Sequence, residues 1–254
     1  MRLAATADLH CPKISPDYLG KLFTVASQEA DVLILGGDLT DRGVEDEARV
    51  LAKTLSASAK IPVVAVLGNH DYESGKAQDI KTILTDAGVQ VLDGDAVDVQ
   101  GVGFAGAKGF AGGFGARALQ PWGEEAIKRF VHEAVNEALK LESALAKLRT
   151  PQRVAVLHYS PVEDTVKGEP PEIYAFLGSG RLEEPLTRYP VNIVFHGHAH
   201  HGSPEGRTRG DAVVYNVAIP LLERAFPGRP AVRVVELPSR ETSEGGGAPN
   251  YRGR

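Results

Sequence analysis

A chain of 254 residues, 43% hydrophobic and 24% charged, has the length and apolar content of one large packed domain, which excludes a disordered chain. Its formal charge of −5 argues against electrostatic binding to long nucleic acid or to an anionic membrane. A single cysteine, Cys11, rules out an intramolecular disulfide, suits a reducing compartment and reads as a small buried hydrophobe.

The first apolar run, Leu3–Ala7, reads as a buried strand and stops at Asp8-Leu9-His10. It lacks the basic start and longer apolar core of a signal peptide. No run reaches the ~18 apolar residues of a membrane span, so a cytoplasmic location is expected. Helical spacing over Tyr18–Glu29 leads to a second run, Val32–Leu35, which ends at Gly36-Gly37-Asp38. A helix over Glu45–Ser58 leads to a third run, Val63–Leu67, which ends at Gly68-Asn69-His70-Asp71. A third helical stretch, Lys76–Ala87, has Gly88 where a C-terminal cap belongs. This alternation predicts parallel strands with helices outside the sheet. Shorter strand candidates at Val89–Leu92, Ala96–Val99 and Val102–Ala105, with Val213–Val217 and Val232–Glu236 later, suggest a second, mixed sheet packed on the first.

Residues 101–115 hold seven glycines but no P-loop spacing, and read as a flexible connection or as a mobile loop that offers Phe110 or Phe114 to a substrate. From about Trp122 to Leu148, the residues Ile127, Val131, Ala134, Ala138, Leu141, Leu145 and Leu148 alternate spacings of four and three. Such a seam is the buried face of a surface helix or a homodimer contact. Residues 101–150 are therefore a candidate cap or interface insertion. Two more apolar runs follow: Val154–Leu157 stops at His158, and Ile193–Phe195 stops at His196-Gly197-His198-Ala199-His200. Between them, Tyr159–Gly180 reads as an ordered loop whose Tyr159, Tyr174 and Phe176 either stack on a base or pack the loop down. Residues 1–237 read as one domain, because the five stops reach from Asp8 to His200. The polar tail 238–254 is expected to stay flexible.

In open α/β sheets ligands collect at the carboxyl ends of strands, so the five stops can converge on one patch. Singly, each histidine reads as a satisfied core residue, and Asp38 or Asp71 as a cap. Jointly, five strand ends would each have to carry a metal-competent residue by accident. Asp8, Asp38, His10, His158, His198, His200 and the amide oxygen of Asn69 are too many ligands for one ion. As imidazoles and carboxylates without thiolates they suit Mn²⁺, Fe²⁺/Fe³⁺, Zn²⁺ or Co²⁺. Two such ions sharing one carboxylate stay cationic overall and attract a phosphate oxyanion, which points to in-line hydrolysis of a phosphoester by a bridging hydroxide.

These blocks, Asp8-Leu9-His10, Gly37-Asp38, Gly68-Asn69-His70-Asp71, His158 and Gly197-His198-Ala199-His200, resemble in kind and order those of the calcineurin-like metallophosphoesterases. The resemblance implies an α/β fold, a four-layer αββα sandwich of two mixed β-sheets flanked by helices. It implies that Asp8, His10 and His200 bind one metal and Asn69, His158 and His198 a second, with Asp38 bridging. His70 would stand at the leaving group as proton donor, with Asp71 orienting it. Gly37-Asp38-Leu39-Thr40-Asp41-Arg42-Gly43 is similar to the extended block of the protein Ser/Thr phosphatases, in which the arginine meets phosphate, so Arg42 joins Tyr159 as a candidate substrate contact. The departures at Asp8-Leu9-His10 and Asn69-His70-Asp71 set this chain apart from that branch. Hydrolysis of a small phosphodiester, nucleotide-type among the candidates, is the expected activity. Phosphomonoester or phosphoprotein hydrolysis, a nuclease and a non-catalytic binding protein on the same fold are the alternatives.

Overall fold

The computed structural model describes residues 1–237, so the expected flexible tail lies outside the described residues. Its strands are β1 (Arg2–Thr6), β2 (Val32–Gly36), β3 (Val63–Val66), β4 (Gln90–Leu92), β5 (Asp95–Val99), β6 (Val102–Gly106), β7 (Gln152–Val156), β8 (Ile193–His196), β9 (Glu205–Arg207), β10 (Val213–Asn216) and β11 (Arg233–Glu236). The helices are α1 (Pro16–Glu29), α2 (Glu45–Ser58), α3 (Ala77–Asp86), α4 (Glu125–Lys147), α5 (Tyr174–Leu177), α6 (Glu183–Arg188) and α7 (Ile219–Ala225).

Local chemistry sets the helix ends. The Ser15 hydroxyl accepts the Tyr18 N–H and Pro16 occupies the first turn, so α1 starts two residues before its apolar spacing does. After α3, Gly88 takes a φ of +92° and the Val89 N–H returns to the Leu84 carbonyl, which closes the helix as the glycine predicts.

The strands form two mixed sheets. In the first, of order β11-β1-β2-β3-β4, β1 to β4 run parallel and β11 is antiparallel to β1. In the second, of order β5-β6-β7-β8-β10-β9, β6, β7, β8 and β10 are parallel and the two edge strands antiparallel. Period-two alternation in β6 to β8 divides the core. Phe104, Val154, Val156 and Phe195 join the residues of the first sheet. Ala105, Ala155 and Val194 face Ala138, Leu141 and Leu145 of α4. With α1 packed on α2 and α2 on α3 beside the first sheet, the chain is a four-layer α/β sandwich.

The sequence reading departs from this arrangement in two places. The runs before His158 and His198 belong to the second sheet, so both sheets supply the site, while Val89–Leu92 and Val232–Glu236 complete the first. The stretch 101–150 is no insertion: Val102–Gly106 is a fully buried strand paired to β5 and β7, and α4 covers β5 and β6. Gly103 and Gly106 on its strand serve close packing. A Cβ at Gly106 would stand 2.8 Å from Val66 Cγ1 of the facing sheet. Six of the seven seam residues, Val131 to Leu148, are buried inside the chain, leaving Ile127 at 42% exposure. Burial of each large member stabilises the fold by ~1.5–3 kcal/mol, enough to keep the stripe inward.

Candidate metal centre

Five strand ends arrive at one cluster. Main-chain bonds tie the first two: the Asp8 N–H donates to the Gly37 carbonyl at 3.0 Å and the His10 N–H to the Asp38 carbonyl at 2.9 Å. Asp8, His10, Asp38 and His198 have φ values of 61°, 40°, 48° and 69°, left-handed conformations that cost a non-glycine residue ~1–3 kcal/mol and persist only where surroundings impose them. All four belong to the expected ligand set. Glycine leaves the necessary space beside them. A Cβ at Gly37 would meet the His158 ring at 2.5 Å, and one at Gly197 would run into the Asp8 carboxylate.

The side chains meet accordingly. His200 Nε2 lies 3.0 Å from Asp8 Oδ1, and the His198 N–H donates to both Asp8 oxygens. His158 Nε2 lies 3.4 Å from Asp38 Oδ1 and 2.9 Å from Asn69 Oδ1, and His10 Nε2 is 3.8 Å from Asp38 Oδ2. Three overlapping groups, Asp8-His10-His200, His10-Asp38-His70 and Asp38-His158-His198, each bring their ligand atoms within 4.8 Å of one another. Asp8 and His158 are fully buried, whereas the side chains of His70 and His200 are 35% exposed.

Backbone carbonyls select the ring protons, because a carbonyl can only accept. His158 Nδ1 donates to Gly36 O at 2.9 Å, which turns Nε2 to the oxygens of Asp38 and Asn69, where a cation would replace the proton it shares with them. His198 Nε2 donates to Phe176 O at 3.2 Å and His70 Nδ1 to Asp41 O at 2.7 Å, so the opposite nitrogen of each is free. His10 Nδ1 is buried without a hydrogen-bond partner, with Asp41 Oδ1 3.5 Å away.

Charge completes the fit to cations. Burial opposes ionisation of Asp8 and Asp38, yet the neighbouring histidines hold both carboxyls below the usual range. Burial also opposes a charged His158, but Asp38 and Asp8 outweigh it and push the imidazole up to about 9. Its bond to Asp8 raises His200, while burial lowers His10 and takes His198 to about 4. Two buried carboxylates thus draw protons onto adjacent imidazoles, and a cation would take the place of those protons. The donors are oxygen and nitrogen throughout. The Cys11 thiol is buried and pushed up to about 11 by that burial, so it offers no thiolate.

The family model of the calcineurin-like phosphoesterases matches residues 1–202. The chain belongs to the calcineurin-like phosphoesterase family. Members are metal-dependent phosphohydrolases, and the Asp/His groups above could hold their metal ions. Among solved structures, phosphopantetheinyl hydrolase (PptH) from Mycobacterium tuberculosis is similar at 18% identity and a TM-score of 0.68, over 96% of this chain and 98% of that one. The protein TT1561 of Thermus thermophilus is similar at 14% identity and a TM-score of 0.55, over 87% and 90%. Both likenesses are of fold. No match was found among curated proteins.

Within this calcineurin-like phosphoesterase the other expected residues fare differently. Asp71 does not orient His70. Fully buried, it accepts the N–H groups of Leu39, Thr40 and Gly68 and the Thr40 hydroxyl, which ties the turn after β2 to the turn after β3. The Asp41 carbonyl takes over the orienting task. Tyr159 is 7% exposed with its ring 4.4 Å from that of His198, so of the two readings of its ring it takes the packed one and braces a histidine. Arg42 is exposed, and its N–H donates to Glu47. His196 is a core histidine with both ring nitrogens bonded, to Gly197 O and Thr165 Oγ1.

Sequence reasoning passed over Lys108. Its carbonyl accepts the N–H groups of His158 and Tyr159, and its buried ammonium lies 5.3, 4.9 and 5.3 Å from the ring centroids of Tyr72, Phe110 and Tyr159. The available signal was its place two residues beyond β6, the same position relative to a strand that His158 and His198 occupy. A cleft of 610 Å³ lined by Phe114, Glu163, Arg181, Arg207 and Arg209 contains none of the expected ligands. Two of its arginines are paired, Arg207 with Asp211 and Arg209 with Glu183.

Proposed function

We propose that this chain hydrolyses a small phosphodiester, with a nucleotide-type ester the leading candidate, by holding two divalent ions between its sheets. Asp8, His10 and His200 would hold one ion and Asn69, His158 and His198 the other, with Asp38 shared. The observation that carries this reading is the linkage of the two outer Asp/His groups through His10 and Asp38, whose nearest approach is 3.8 Å. When bound, such a pair acidifies water and takes up charge on the phosphoryl oxygens. Mn²⁺, iron or Zn²⁺ each suit the donors.

The remaining chemistry belongs to the protein. Asp8 and Asp38, ionised before any ion arrives, supply fixed negative charge, and the Gly36 and Phe176 carbonyls lock two imidazoles in the ligating tautomer. His70, held at Nδ1 by the Asp41 carbonyl and with Glu73 Oε2 3.7 Å away, keeps Nε2 for the leaving oxygen, to which it would donate a proton. The preference for a diester rests on the small single-domain build of the chain. A similar fold is, by its name, a hydrolase of the phosphopantetheinyl group. A cytoplasmic setting, with one buried cysteine, belongs to the same reading.

Initial rates with Mn²⁺ on p-nitrophenyl diesters and monoesters, a phosphopeptide and single-stranded DNA test the proposal. A diester should be the fastest substrate. Faster monoester or phosphopeptide cleavage would replace the substrate class, and absence of turnover on all four would remove the activity.

A further inference from the structure

A chain of aromatic rings leaves the metal centre on one side. The Tyr159 ring is 4.4 Å from His198 and 5.9 Å from Phe110, Phe110 is 5.0 Å from Phe130 on α4, and Phe130 meets Phe176 at 6.5 Å edge to face. The Phe176 carbonyl then returns to His198 Nε2 at 3.2 Å. The loop of contacts starts and ends on an expected ligand. Lys108 stiffens its inner arc, with its ammonium against both Phe110 and Tyr159.

Packing accounts for the inner rings, since Tyr159 is buried and Phe110 and Phe130 are half-buried. It does not account for Phe176, which stands 57% exposed at the outer end, beside Ile173 at 38%. An exposed phenyl ring loses favourable free energy to water unless something covers it. Its main-chain carbonyl is bonded to a histidine of the metal centre, which places residue 176 at the edge of that centre.

We infer that the Phe110–Phe130–Phe176 wall, with Phe176 at its open end, is the subsite for a planar aromatic group carried by the phosphoester. This deepens the activity proposed above and rests on it. An aryl ring and a nucleobase share the required chemistry, a flat π-face with one edge near the phosphate. Phe176 is a specificity-determining residue here, and its side chain has no part in the proton transfer assigned to His70.

Calorimetric affinities of the Mn²⁺-loaded protein for phenyl, cyclohexyl and methyl phosphate test this without relying on turnover. Phenyl phosphate should bind about tenfold more tightly than methyl phosphate and more tightly than cyclohexyl phosphate, which matches its size but is not flat. In Phe176→Ala the phenyl-to-methyl ratio should fall towards one, and Phe176→Tyr should restore it. Adenosine 5′-monophosphate binding above ribose 5-phosphate would identify a nucleobase as the aromatic group, and parity between those two would identify a simple aryl ring. Equal affinity of the wild type for phenyl and methyl phosphate, or a preference that survives Phe176→Ala, overturns the subsite. Diester hydrolysis without the preference would remove the wall and leave the activity, whereas the preference without hydrolysis would do the reverse.

Discussion

Asp8, His10, Asp38 and Asn69, from the first sheet, are placed by main-chain bonds between neighbouring strand ends and by the Asp71 carboxylate, which binds both turns at once. His158 and His198, from the second sheet, are aimed by single carbonyl contacts and by rings, Tyr159 against both and Phe110 behind it. The first half is a backbone scaffold whose geometry follows from local sequence. The second shares such bonds, from the His158 N–H to the Lys108 carbonyl and from the Gly197 N–H to the His158 carbonyl, but adds side-chain contacts from the segments 107–118 and 159–180. Damage to a scaffold should therefore cost both stability and metal, and damage to the ring assembly should cost much less of either.

Asp38→Ala should have the largest effect, because the shared carboxylate belongs to two of the three Asp/His groups: metal content and phosphoesterase rate are both expected to disappear, as read by elemental analysis and initial rates. His70→Ala should lower turnover by about 10²–10⁴-fold with the metal retained, the signature of a proton donor. Equal loss of metal in the two variants would make His70 a ligand. Asp71→Ala strands three buried N–H groups in the first half and should lower unfolding free energy by at least about 3 kcal/mol in a urea titration of the metal-free protein. Lys108→Met, in the second half, exchanges cation–π contacts for an apolar fit and should change that free energy by less than about 2 kcal/mol. If the last two variants came out equal, the contrast between scaffold and assembly would fail.

Legibility in the sequence follows the same division. Helix spacing, the Gly88 cap and the stops at Asp8, Asp38 and Asn69 all concern neighbours in the chain, and they lie where the pattern puts them to within two residues. Sheet membership was not legible, since a fully buried parallel strand reads alike in either sheet. The glycines of 101–115 suggested mobility, yet Gly106 serves close packing between the sheets. The resemblance set Asp71 to orient His70, whereas it binds Gly68 and, 31 and 32 residues away in the turn after β2, Thr40 and Leu39. Lys108 and the ring chain rest on contacts between distant segments that periodicity does not register.

The central claim is that both sheets build one centre for two ions. Anomalous scattering from crystals soaked in Mn²⁺ tests it most directly. Two peaks about 3.5–4 Å apart are expected, one among Asp8, His10 and His200, the other among Asn69, His158 and His198, with Asp38 between them. A single peak among His10, Asp38 and His70, or no peak at any of these residues, would contradict the account.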